Sequence, residues 1–340
     1  VALPVSEARI PTLAVFVNTV QVAGILAADI ELNSHLAANR FRIRASLTAS
    51  GATIWNQTPL LISIQLGLNG ALATLMTGNA DRVTIDPIRG EVSIDGRDLT
   101  SRLIASRIQQ AFENQTASEV ATQLATDQGL RAAVITTTQP VGRYFQNGHT
   151  QTSLDQHART TTAWDLLIRL AEFEGFEVWV EDETLYFMPA STDFGTLSIA
   201  PSDCISMDLQ QSMSLSNDLE VTVKSWNCIG QHMVQKTASA GGTVGTPSNY
   251  VIVRPNLTAA TAQMLAQSVV NQMAAQARSV SFEMPGDLTT MPRMMLTLSD
   301  TGTAFDSTYV ISDVERRLSF SHGFTQYVQA RSPYWTVSST

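Results

Sequence analysis

Apolar and polar residues alternate through much of the first ninety-five positions. FRIRASLT (41–48) places Phe41, Ile43, Ala45 and Leu47 on one face and Arg42, Arg44, Ser46 and Thr48 on the other. That period of two marks a half-buried strand. LLISIQL (60–66) repeats the pattern with Leu60, Ile62, Ile64 and Leu66 inward, and DRVTID (81–86) and EVSID (91–95) follow, joined through Pro87 and Gly90. TLAVFVNTVQVAGILAA (12–28) is broken by Asn18, Thr19 and Gln21 and reads as a strand or two. Asn69-Gly70 predicts a two-residue hairpin, because both residue types tolerate the positive φ of a type I′ turn. Short strands that are each half apolar must bury one face together, which a small closed barrel or a sandwich does.

The period changes in the middle of the chain. TASEVATQLATDQGLRAAV (116–134) opens with a Thr-x-x-Glu capping box and carries Val120, Ala121, Leu124 and Ala125 at helical spacing, with Gly129 as the stop. TTAWDLLIRLAEFEGFEVWV (161–180) says nearly the same again. A shift of 46 positions pairs Thr116 with Thr162, Glu119 with Asp165, Leu124 with Leu170 and Gly129 with Gly175. The expectation is a duplicated unit of capped helix, glycine stop and strand; two copies are too few for a solenoid. EVWVEDETLYFMP (177–189) then predicts a hairpin with Glu181, Asp182 and Glu183 at its turn.

Alternation returns in LEVTVKSW (219–226), YVIV (250–253), SVSFEM (279–284), RMMLTL (293–298), TYVIS (308–312) and TQYVQA (325–330). One helix interrupts them, within 256–278, with Leu265, Val269 and Met273 on its apolar stripe. SAGGTVGTPS (239–248) predicts a surface loop. The fold class is therefore α+β and β-rich: strand domains over 1–95 and 193–340 flank an α/β insert over 96–192.

Composition narrows the function classes. The chain has 340 residues, 44% hydrophobic and 15% charged, enough apolar material for sizeable cores and too little charge for a disordered chain. Its formal net charge is −9, and Lys224 and Lys236 are its only lysines, which argues against a surface that captures nucleic acid by neutralising phosphates. Two cysteines, Cys204 and Cys228, are too few for a disulfide scaffold or a structural zinc site and read as free thiols. No stretch reads as a membrane span or a cleavable signal, so the chain is expected to be made and folded in a cytoplasm, without membrane insertion.

Chemistry-bearing motifs are absent: there is no GxxxxGK[ST] loop, no GxGxxG between strand and helix, no GxSxG, HExxH or CxxC. His149, Asp155 and His157 lie close in sequence, in a polar stretch whose plainer reading is a solvated loop. Glu172, Glu174, Glu177, Glu181, Asp182 and Glu183 supply carboxylates for a glycoside hydrolase, but they fall on a helix end and a hairpin tip, where a solvated face is the default. Acidic residues at a helix C-terminus oppose its dipole, a local cost that hints at a partner surface. Trp164, Phe173, Phe176 and Trp179 read as the core of the second helix–strand unit, whereas Tyr327, Tyr334 and Trp335 invite a docking role. No catalytic residue, cofactor or metal ligand is assigned.

Three stretches, in order along the chain, resemble the central hub proteins of contractile phage-tail baseplates, the late control gene D family. GEVSIDGRDLTSRLIASRIQQAFENQTASEVATQLATDQGL (90–130) is similar to that family's strand, its "GRDLTARL"-type turn and its capped helix. TAWDLLIRLAEFEGFEVWVEDETLYFMP (162–189) is similar to its "TPLDLLRRLAEEEGF" helix and hairpin. TYVISDVERRLSFSHGFTQYVQAR (308–331) resembles its closing strands, with Glu315 where many relatives carry histidine.

The resemblance implies two similar tube-type β-barrel domains per chain and a homotrimer whose six barrels form a ring of pseudo-sixfold symmetry. Such a ring would join the hexameric tail tube to a trimeric spike and leave a lumen for DNA ejection. Implied partners are the spike protein, tail tube or tube-initiator proteins, the tape measure protein and the baseplate wedge, all in a virion assembled in the host cytoplasm. With no repeats before Thr340, the spike is expected to be a separate protein, and a net charge of −9 would suit a non-sticking lumen wall. Two other classes stay open: a tail-tip cell-wall hydrolase using the acidic hairpin, and a host-glycan-binding module using the closing aromatics.

Overall fold

The computed structural model describes residues 10–34, 36–108, 112, 114–138, 140–141, 162–189, 194–212, 219–227, 232–240, 248–255, 257–321 and 323–333. The opening part builds strands β1 (Pro11–Val17), β2 (Val20–Val22), β3 (Ile25–Asn33), β4 (Arg40–Ser46), β5 (Leu61–Leu68), β6 (Ala71–Asp86) and β7 (Glu91–Asp98), with a one-turn helix α1 (Leu47–Ser50) after β4. The middle holds α2 (Thr100–Ala105), β8 (Gln115–Thr116), α3 (Ala117–Asp127), β9 (Arg131–Val134), β10 (Pro140–Val141), α4 (Ala163–Glu174), β11 (Phe176–Glu181) and β12 (Thr184–Pro189). The closing part holds β13 (Thr196–Ile199), β14 (Ser206–Gln211), β15 (Leu219–Asn227), β16 (His232–Ala240) and β17 (Ser248–Val253), then α5 (Ala259–Ala274). It ends with β18 (Arg278–Pro285), β19 (Met295–Leu298), β20 (Thr308–Ser319) and β21 (Gly323–Arg331). The protein is β-rich with few helices.

Alternation in the sequence becomes alternation in burial up to Ser46, where β4 gives way to α1 and Leu47 leaves the inward series. Phe41, Ile43 and Ala45 of β4 and Ile62, Ile64 and Leu66 of β5 are buried, while Arg42 and Arg44 are exposed. Asn69 and Gly70 take positive φ in the turn between β5 and β6, as the hairpin reading requires.

The expected pair of closed barrels is not what the pairing draws. The largest sheet runs β14-β18-β21-β20-β3-β4-β7-β6-β5-β1-β2, and no pairing path among the described residues returns to its start. The edge of β3 that would close the opening strands on themselves is taken by β20, with Asp29 opposite Arg317 and Leu32 opposite Val314. β20 first pairs β19 and then, past Ile311, β3. Its pairing with β21 slips between Ile311 and Asp313, the local bend that a bulge provides. One apolar core accordingly lies under both strand-rich parts, gathering Val15, Ile43 and Ile94 with Phe282, Tyr309 and Val328.

Two helix–strand units with matching caps stand in the middle of the chain. Thr116 and Thr162 both cap their helices through capping boxes, with Glu119 and Asp165 reaching back to the cap N–H groups. Gly129 and Gly175 both take φ of +70° after the helices, where only glycine is free of a Cβ penalty. The strands that follow, β9 and β11, flank β12 in a three-stranded sheet. Leu124, Ala125, Leu167 and Leu170 join Val178 and Phe187 in a second core.

Within the closing part, β16-β15-β17 form a separate three-stranded sheet. The helix α5 covers one face of it, where Val221, Val223 and Val234 meet Ala262, Ala266 and Val270 in a third core. The alternation predicts β15 and β17 but not β16, whose last two residues fall in the expected loop, nor the separation of these strands from the main sheet.

Candidate functional site

The six carboxylates that could have served hydrolysis do not converge. Glu172 is exposed near the end of α4, and Glu181, Asp182 and Glu183 are exposed at the hairpin tip. Glu177 turns the other way and is held by Arg293 at 2.9 Å, with both side chains largely buried. Burial pushes the Glu177 carboxyl above its ordinary range, against the pull of Arg293. Burial likewise draws the Arg293 guanidinium down, opposed by Glu177. Glu174 is also raised by burial, and its Oε1 has no hydrogen-bond partner among the described residues.

Around this pair the aromatics of the second helix–strand unit are arranged in order. The Trp179 ring stacks on Tyr186 at 4.9 Å between centroids, takes Phe194 edge-on at 5.7 Å, and lies under the Arg293 guanidinium at 4.3 Å. Trp164 is buried and its Nε1–H donates to the Leu36 carbonyl at 2.7 Å. Phe176 packs on Phe187 at 5.2 Å. These are internal contacts that dock the insert onto both strand-rich parts. Arg293 reaches them from a left-handed backbone, φ +75°.

Three polar side chains enter apolar surroundings that the sequence reading did not single out. Asp98 ends the inward series Val92, Ile94, Gly96 on β7 and is 5% exposed. Burial pushes its carboxyl up to about 6, although the N–H groups of Asn39 and Thr100 donate to it at 3.2 and 3.1 Å. Arg316, 1% exposed, follows Val314 on the inward face of β20. Its Nε donates to the Asp287 carbonyl at 3.0 Å, and its Nη2 to Leu288 and Thr290 carbonyls. Burial lowers that guanidinium to about 10. Gln326, also buried, accepts from the Asp287 N–H at 3.2 Å and donates to Thr290 Oγ1 at 3.3 Å. Arg316 and Gln326 thus pin the 287–291 loop against the sheet. The signal was present in the alternation, since each sits at an inward position.

The opposite, polar face of the main sheet is a lattice of charges. Arg40, Arg42 and Arg44 on β4 and Arg97 on β7 sit beside Asp29 and Glu31 on β3 and Glu315 and Arg317 on β20. Ion pairs join Arg42 to Asp95 at 2.6 Å, Arg97 to Asp81 at 2.6 Å and Arg317 to Glu315 at 2.7 Å. Tyr327 lies on this face between Glu283 and Glu315.

Cys204 is a free, half-buried thiol, pushed up to about 11 by burial and by Asp203, and so has little thiolate character. His149, Asp155, His157, Cys228, Tyr334 and Trp335 lie outside the described residues. Among the described residues no three His, Cys, Asp or Glu side chains come together as a metal site, and no helix is long and apolar enough to cross a membrane.

The whole arrangement is similar to solved tail proteins. A tail protein from Neisseria meningitidis matches over 95% of this chain and 96% of its own, at 17% identity and a TM-score of 0.71. The 43 kDa tail protein of prophage MuSo2 from Shewanella oneidensis matches over 96% and 99%, at 16% identity and a TM-score of 0.74. The E. coli c3393 protein, described as a type VI secretion component structurally similar to T4 bacteriophage tail proteins gp27 and gp5, matches over 94% and 77%, at 13% identity and 0.59. The chain therefore has a fold found in phage tail proteins. Residues 60–250, more than half of its length, match the model of the Alg8 N-terminal domain, and the chain belongs to that family. No curated protein matches it in sequence.

Proposed function

We propose that the chain is a structural hub of a phage-tail baseplate. Three copies close into a ring of pseudo-sixfold symmetry that joins the hexameric tail tube to a trimeric spike and leaves a lumen for DNA. The observation that carries this reading is the near end-to-end likeness to whole tail proteins, 95% of this chain against 96% of the Neisseria protein. The connection to a spike is supported by the E. coli neighbour, described as similar to the tail proteins gp27 and gp5.

The sheet supports the ring. Its opening strands and closing strands stand side by side, joined at β3 and β20, so each copy brings two tube-type units and three copies bring six. The sheet ends at β14 and β2, whose outer edges carry no strand among the described residues. Open edges invite pairing, and neighbouring copies in a closed ring cover them. The charged face, with both signs interspersed, lines the lumen, so DNA phosphates meet no continuous basic track there. The remaining partners are tail tube or tube-initiator proteins, the tape measure protein and the baseplate wedge. The role is structural, without catalysis or specific nucleic-acid binding, in a virion assembled in the host cytoplasm.

Co-expression with the cognate spike followed by light scattering of the purified complex tests this reading. Three copies of this chain per complex are expected; a stable pair would overturn it.

A further inference from the structure

Ile88 and Phe320 are the two barest large apolar side chains among the described residues, at 96% and 88% exposed. Each stands on a hairpin turn of the main sheet, Ile88 between β6 and β7 and Phe320 between β20 and β21, so each strand-rich part carries one. The strand register places both turns at the same end of that sheet. Ser319 on β20 lies opposite Ala27 on β3, Ala27 opposite Arg44 on β4, Arg44 opposite Ser93 on β7 and Ser93 opposite Thr84 on β6. From that row β20 runs straight into its turn, and β6 continues for two residues, roughly 7 Å, before its own. β20 and β7 are three strand spacings apart, roughly 14 Å.

Both turns are fixed by hydrogen bonds. Asp86 Oδ1 accepts from the N–H groups of Ile88 and Arg89, each at 3.0 Å, and the Gly90 carbonyl accepts from the Leu47 N–H at 2.8 Å. In the second turn the Ser319 and Ser321 hydroxyls meet at 3.4 Å, and Gly323 takes a φ of +72°. Turns ordinarily carry Gly, Asn, Asp, Pro or Ser. An apolar side chain held out on a fixed turn loses little further freedom when it enters a pocket, which is how interface anchors act. The two tips belong to different parts of the chain, yet both are bulky and apolar. A threefold partner meets Ile88 and Phe320 at separate places and sets no requirement that they be alike. A sixfold partner offers one kind of socket six times, and a three-copy ring has six such tips to fill it.

We propose that Ile88 and Phe320 are the plugs by which the ring grips the hexameric tail tube, three of each filling equivalent apolar sockets on its six subunits. The proposal rests on the three-copy ring proposed above and adds to it the rim that faces the tube. The spike then sits at the opposite rim.

Sedimentation of the ring–spike complex with the assembled tail tube of the same virion tests it, with light scattering of that complex as the check on the ring itself. Ile88→Ser and Phe320→Ser are each expected to weaken tube binding about tenfold or more, since each removes three apolar plugs, and the double variant to abolish it. Copy number, spike binding and unfolding midpoint are expected to stay as in the wild type. Ile88→Leu and Phe320→Leu are expected to keep tube binding, and Val253→Ser, at a position on β17 that is 73% exposed, to leave it unchanged. Absence of tube binding by the wild-type complex, binding unaffected by the double serine variant, equal loss from Val253→Ser, or loss of spike binding in place of tube binding would overturn the proposal and leave the ring standing. A wild-type complex holding two copies of the chain would instead overturn the ring, and this proposal with it.

Discussion

The Glu177 carboxylate and the Arg293 guanidinium meet at 2.9 Å across 116 residues of chain and tie the insert to the closing strands. Arg293 also covers Trp179, so one side chain makes the ion pair and the cation–π contact together. Removing one partner leaves the other charge buried without compensation, at a cost of about 3–5 kcal/mol. Glu177→Ala is expected to lower the unfolding free energy by that amount in a urea titration. Glu177→Met combined with Arg293→Met is expected to cost less than the sum of the single changes, because neither charge then remains. A loss below 1 kcal/mol for Glu177→Ala would mean that the pair is solvated.

Asp98 ties stability to pH. Its carboxyl binds a proton more tightly in the folded chain, at about 6 against the usual 3.8. The stability it contributes is therefore fully present below about pH 4 and is lost as pH rises through 6. The shift corresponds to about 3 kcal/mol. Measured against Asp98→Asn, which does not titrate, the wild type is expected to gain up to that amount between pH 7.5 and pH 4. A difference between the two proteins that stays constant over that range would show that Asp98 ionises freely.

Two glycines lie under aromatic rings on the main sheet. The atoms nearest a Cβ at Gly286 all belong to the Phe324 ring, whereas one at Gly96 would overlap both the Phe41 ring and the Asn79 carbonyl. Overpacking of this kind costs about 1–3 kcal/mol. Gly286→Ala should be relieved in part by Phe324→Leu, while Gly96→Ala should not be relieved by Phe41→Leu, since the backbone oxygen remains. Thermal unfolding of the two pairs distinguishes them, and equal rescue at both sites would contradict the packing described.

The matched caps of α3 and α4 allow a paired test. Thr116→Ala and Thr162→Ala each remove a hydroxyl that accepts a helix N–H, worth about 1 kcal/mol apiece. Similar losses from both are expected in chemical unfolding; a silent Thr162→Ala would mean that the second helix is held by packing alone.

These examples also mark what the sequence carried. Thr116 with Glu119, and Thr162 with Asp165, are local signals, and the helices begin where they say. Alternation put Phe41 and Ile43 inward and Arg42 and Arg44 outward for the same reason: side-chain period depends only on neighbours along the chain. Which strand lies beside which does not. The pairing of Asp29 with Arg317 brings opposite ends of the chain together, and no periodicity encodes it. That long-range choice joins the two strand-rich parts into one sheet. The Glu177–Arg293 pair was hidden for a related reason, since the partner that covers Glu177 lies 116 residues further along the chain.

Electron cryomicroscopy of the chain bound to its spike, reconstructed without imposed symmetry, tests the account most directly. The expected image is a ring of three subunits showing six strand-rich units around an open channel, with Arg40, Arg42 and Glu315 facing that channel. A subunit standing alone, a twofold pair, or a ring whose channel is walled by other faces of the chain would contradict it.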